Sequence, residues 1–152
     1  TIALSIRCHT HHSCLEIPMQ ITVETRIQAP IAQVWRAYTT PTDIVQWNAA
    51  SDDWHTTKSN VDLRPGGAFS SRMEAKDGSF GFDFEGTYTN VVEHQLLEYS
   101  FGDRTARVVF EQVGEDSRVT VEFDTEDENS VDMQREGWQA ILNNYAKYVL
   151  NN

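Results

Sequence analysis

From Ala68 to Phe123 the chain keeps returning to a two-residue hydrophobic period, and after residue 130 it switches once to the period of a helix. Phe80, Phe82, Phe84, Gly86 and Tyr88 are spaced by two, with Asp83, Glu85 and Thr87 on the opposite face. The spacing recurs in Leu97, Tyr99 and Phe101 and in Val119, Val121 and Phe123, with a further apolar-rich segment from Thr105 to Val113. Residues two apart share one face of a strand, so these segments predict strands with a dry and a wet side. Asp77-Gly78 and the run Gly114 to Ser117 supply the turns between them. Val131, Gln134, Trp138, Ile141, Leu142, Tyr145, Tyr148 and Val149 then form one stripe of a long helix. Antiparallel strands with a single dry face need a cover. The combination predicts an α+β fold, a curved antiparallel sheet wrapped around the C-terminal helix.

Upstream, Ile21, Val23, Thr25 and Ile27 alternate as a first strand. Ala29-Pro30 opens a helix through Ile31, Val34, Trp35 and Tyr38, and Thr40-Pro41 opens a second through Ile44, Val45 and Trp47. Asn48 to Asn60 reads as a polar connection, and Arg64-Pro65-Gly66-Gly67 as a turn. Asn129 or Ser130 can cap the long helix. Residues 1–19 show no sustained alternation, so the domain is expected over 20–152, with the leader as an extension outside the core.

Charge narrows the function classes. The 152 residues carry a net charge of −11, and from Glu111 to Glu136 ten acids face only Arg118 and Arg135. Phosphate binding depends on cationic side chains that release counterions, so nucleic acid and anionic membrane surfaces are excluded as partners. No apolar run approaches the roughly 20 residues of a membrane span. Both cysteines lie in the leader, which leaves the domain without a disulfide framework and predicts a cytoplasmic chain. Within that leader, Cys8, His9, His11, His12 and Cys14 are thiolate and imidazole groups suited to zinc or copper. Their cramped spacing matches no standard finger, which favours a non-structural leader over a metal site.

The order and spacing of several motifs resemble a known superfamily. They are Ala29-Pro30 with Val34-Trp35 and Tyr38, Pro41 with Trp47, Asp62 to Phe69 around Pro65-Gly66-Gly67, Gly86-Thr87-Tyr88, Leu97-Glu98-Tyr99, and Gly137-Trp138 through Leu142 to Tyr148. Over 20–150 the chain is similar to the SRPBCC (START-like, helix-grip) superfamily, in the branch named after the heat-shock protein 90 ATPase activator. The resemblance implies a deep, mostly apolar cavity between sheet and helix. Members bind lipids, sterols, plant hormones or polyketides there, and some cyclise or dehydrate the ligand. A chaperone partner is implied by the branch name alone.

Phe69, Met73, Phe82, Phe84, Tyr88, Tyr99, Phe101 and Trp138 are expected to face the helix, with Ile141, Leu142 and Tyr145 opposite. They either line an apolar ligand pocket or pack as an ordinary core. Trp47, Trp54 and His55 are expected at the cavity mouth, or as a loop pinned over the core. His55, with Asp52 or Asp53 beside it, is the one acid–base candidate, since Asp83, Glu85, Arg72 and Arg107 alternate with the apolar face and should point to solvent. No nucleophile elbow, phosphate loop or metal spacing occurs in the domain, so no cofactor is expected. Asp124 to Glu128 reads as solvated charge before the helix cap. Three readings follow: a carrier or sensor of a small hydrophobic or aromatic ligand, a cyclase- or hydratase-like enzyme in the same cavity, and a chaperone-linked interaction domain.

Overall fold

The computed structural model describes residues 19–152, so the Cys8–Cys14 ligand set lies outside the described residues. The elements run β1 (Gln20–Ile27), α1 (Ile31–Thr39), α2 (Pro41–Trp47), β2 (Trp54–Val61), β3 (Ala68–Ala75), β4 (Gly81–Val92), β5 (Leu96–Phe101), β6 (Arg104–Val113), β7 (Asp116–Asp124) and α3 (Val131–Leu150). All seven strands form one antiparallel sheet in the order β1-β7-β6-β5-β4-β3-β2. The two short helices carry the chain from one sheet edge to the other, and a meander of six strands brings it back to β1. The sheet curls into a half-barrel with α3 in its concave face, which is the helix-grip arrangement.

The dry faces meet as the alternation requires. Ile21 lies opposite Phe123 and Val23 opposite Val121, all four buried, with Val108 on the next strand facing Val121. Pro30 stands at the N-cap of α1 with φ −65°, and Pro41 occupies the first turn of α2, positions where a missing N–H leaves no helical bond unmade. Ser130 caps α3 by accepting from the Met133 N–H at 3.1 Å. Among the described residues no helix is long and apolar enough to cross a membrane.

The structure departs from the sequence reading in three places. Residues 54–61 form the edge strand β2 rather than an irregular connection. Its register against β3 shifts between Thr56 and Lys58, so Thr56 faces inward before the bulge and Ser59 and Val61 after it. One extra residue thus breaks the two-residue period from which a strand is read. Asp124 is buried rather than solvated: its carboxylate accepts from the Thr105 N–H at 2.8 Å, the Thr105 hydroxyl at 3.0 Å and Gln20 Nε2 at 3.1 Å. Phe80 falls just outside β4 and is exposed.

Candidate functional site: a cavity between the sheet and the C-terminal helix

The concave face does not close fully on the helices. A cavity of about 310 Å³ remains, walled by Ser59 and Val61 of β2, Phe69, Ser71 and Met73 of β3, Phe82, Phe84 and Tyr88 of β4, and Leu97 and Tyr99 of β5. Tyr38 of α1, Ile44 and Trp47 of α2, and Trp138, Ile141 and Leu142 of α3 complete the enclosure. Small residues keep it open: Ser59 and Ser71 are directly opposed on neighbouring strands, where larger side chains would fill the space. Gly86 bounds it differently. A Cβ there would lie 2.1 Å from the Ser100 carbonyl oxygen and 2.8 Å from the Phe69 ring, so glycine is what lets that ring lie across the strand.

The wall is largely apolar with a few polar points. Tyr38, Tyr88 and Tyr99 bring three phenols to this wall. Burial pushes Tyr88 up to about 12 and raises Tyr38 and Tyr99 as well, with neighbouring phenols adding to the shift of those two. They are therefore neutral O–H groups at physiological pH. The Ser59 hydroxyl oxygen is buried and has no hydrogen-bond partner among the described residues. Arg104 reaches the wall from β6, its guanidinium carbon 4.5 Å from the Phe101 ring centroid and its Nη1 donating to the Asp124 carbonyl at 3.3 Å. No imidazole or carboxylate lines the cavity among the described residues.

Ten of the residues expected at the site lie together on this wall: Trp47, Phe69, Met73, Phe82, Phe84, Tyr88, Tyr99, Trp138, Ile141 and Leu142. Phe101 stands behind them, packed on Phe84, Tyr99 and Trp138 at centroid distances of 5.4, 5.7 and 6.0 Å. Tyr145 is wholly buried beside the wall, where its hydroxyl donates to the Val34 carbonyl at 2.5 Å and its ring meets Trp47 and Tyr38. Trp54 and His55 line a polar groove with Asp52, Lys76, Asn144, Lys147 and Tyr148, which adjoins the cavity at Trp47 and Asn48. Trp54 still sits one ring away from the cavity, 5.9 Å from Phe82. Asp83 points outward to Arg72, and Glu85 is exposed.

Sequence reasoning missed Tyr38, Ser59, Ser71 and Arg104. The first was assigned to helix packing alone, and the two serines carry no hydrophobic signal. Arg104 had a usable signal. Gly102-Asp103 is a two-residue turn with Gly102 at φ 64°, which makes Phe101 and Arg104 direct cross-strand partners and puts them on one face.

Comparison with known proteins agrees with this geometry. The family model described as Activator of Hsp90 ATPase homolog 1-like protein matches residues 28–149. The chain belongs to that family. An Activator of Hsp90 ATPase homolog 1-like protein of Aeromonas hydrophila, solved in solution, is 45% identical, covers 86% of this chain and 92% of its own, and superposes with a TM-score of 0.82. The solution structure of Chr148 from Cytophaga hutchinsonii is 42% identical over 88% of this chain and 93% of its own, with a TM-score of 0.76. Protein CV1439 of Chromobacterium violaceum, at 22% identity over 89% of this chain and all of its own, shares the fold with a TM-score of 0.79. No curated protein matches the chain. Membership in the Activator of Hsp90 ATPase homolog 1-like family thus brings a shared architecture, and function has to be argued from the cavity.

Proposed function

We propose that this family member is a cytoplasmic carrier or sensor that holds a small hydrophobic or aromatic ligand between the sheet and α3. One observation carries the reading: a cavity of about 310 Å³ between sheet and helix, walled mostly by aromatic and aliphatic side chains. Burying the apolar body of a ligand against these side chains removes its surface from water at about 25 cal/mol per Å², which favours an apolar occupant. The volume falls at the lower end of known small-molecule sites, and the mix of aromatic walls with a few polar points is their usual composition. The test compares native and denatured masses of freshly purified protein. A discrete excess mass seen only under native conditions is expected, and extraction then identifies the ligand. Equal masses, with no rise in melting temperature on adding apolar compounds, would sink the carrier reading.

A cyclase or hydratase working in the same space would have neutral phenols and one guanidinium for proton transfer, so that reading has less support. The interaction-domain reading draws on a different feature. Trp54, Phe80 and Phe82 form an aromatic cluster beside the cavity, with ring centroids 5.9 to 6.4 Å apart and both phenylalanines exposed. It requires that a heat-shock protein 90 homologue be captured by the protein and lost with Phe80→Ser, and capture that survives this substitution would remove its basis.

A further inference from the structure

We propose that the ligand of this cavity is a small apolar monocarboxylate whose carboxylate pairs with Arg104 while its apolar body lies against Phe84, Trp138 and Phe69. The inference rests on the cavity being a ligand site and names the chemical class of what fills it.

Among the described residues, Arg104 is the one cavity-lining side chain that is charged at neutral pH, and it is a cation in a chain of net charge −11. The other arginines of the strands and of α3 are matched locally. Arg26 pairs with Asp116, Arg72 with Glu74 and Asp83, Arg107 with Glu98, Arg118 with Glu111, and Arg135 with Asp132. Arg104 pairs with no carboxylate among the described residues. Asp124, whose backbone carbonyl it bonds, turns its carboxylate to Thr105 and Gln20. Five N–H donors are thus served by one carbonyl and one aromatic face at the edge of an apolar space.

A guanidinium so placed lacks a planar acceptor, and a carboxylate supplies one through two parallel N–H···O bonds. The charge of Arg104 also lowers the cost of negative charge at the neighbouring Tyr99 phenol, which marks how close the cation stands to the cavity's polar points. A single cation matches a single negative charge, and the acidic surface of the chain opposes multiply charged anions. Size sets the tail. At roughly 30 Å³ per liquid water, the cavity holds the volume of about ten waters, which suits a medium-chain or aryl-alkanoic acid.

Octanoate and 1-octanol separate the head group from the tail. Calorimetric titration of the whole chain with each, in the wild type and in Arg104→Gln, is the test. Octanoate is expected to bind the wild type at least about tenfold more tightly than 1-octanol. Arg104→Gln should erase that advantage while leaving 1-octanol within about twofold, which also shows that the variant keeps its cavity. Should Arg104→Gln fail to fold, Arg104→Lys and salt decide: octanoate affinity must survive in the lysine variant and fall with ionic strength, while 1-octanol affinity stays level. Equal binding of the two ligands, or octanoate binding indifferent to Arg104 and to salt, overturns the carboxylate assignment and leaves the cavity reading standing. Binding of neither ligand to the wild type overturns both.

Discussion

Ser59 and Gly86 show how single positions decide whether this protein has an interior space. Without ligand, the buried Ser59 hydroxyl is desolvated with no compensating bond among the described residues. Ser59→Ala should therefore raise the stability of the ligand-free protein by about 1 kcal/mol. Chemical denaturation measures it, and a loss of stability would mean that the hydroxyl is bonded after all. Gly86→Ala acts on the wall from behind. Its methyl group would meet the Ser100 carbonyl oxygen at 2.1 Å, and backbone on a central strand cannot retreat as a flexible side chain would. A loss of roughly 3 kcal/mol is expected, the upper range for overpacking. A melting temperature equal to wild type would show that the strand gives way freely.

At the scale of elements, α3 depends on its first turn. Ser130 caps it, and Gln134 is buried just inside, taking the Glu126 N–H at 2.9 Å and donating to the carbonyls of Glu126 and Asn129 at 3.0 and 2.8 Å. These bonds hold the acidic turn against the helix and explain why a polar residue occupies the apolar stripe. Ser130→Ala should cost about 1 kcal/mol, read as a lower denaturation midpoint with an unchanged slope. An unchanged midpoint would mean that the Gln134 clamp alone holds the turn. Most elements could be read from the sequence, because each is one uninterrupted period bounded by a turn or a cap. β2 could not. Its inward residues are Thr56, Ser59 and Val61, two of them polar, and the bulge between Thr56 and Lys58 shifts the period partway along.

The whole molecule links its tyrosines to alkaline stability. All five have raised pKa values: Tyr38, Tyr88, Tyr99 and Tyr145 chiefly through burial, and Tyr148 through its hydrogen bond to Asp43. A phenol whose folded pKa lies above its unfolded value of about 10 contributes stability that is complete below pH 10. For Tyr88 that contribution is lost as pH rises from about 10 through about 12. Tyrosinate absorbance is expected to appear together with loss of the near-ultraviolet circular dichroism of the fold, above pH 10. More than one tyrosine titrating near pH 10 in protein that keeps that signal would contradict the burial of the cluster. Tyr148 is half-buried and its shift comes chiefly from Asp43, so Tyr148→Phe should leave the alkaline transition nearly in place.

Period and punctuation along the chain determined the α+β architecture, the antiparallel sheet, the long C-terminal helix, and the aromatic residues that now share the concave face. Those properties are local, because each strand or helix declares its dry face within its own few residues. The tertiary structure alone decided that the face encloses a cavity rather than a filled core, since the void depends on what stands opposite Ser59 and Ser71 across the sheet and the helix. It also decided that Trp54 and His55 line a polar groove adjoining the cavity, and that Arg104 lacks a carboxylate partner among the described residues. Volume, pairing and exposure are sums over residues distant in sequence, and no single segment carries them.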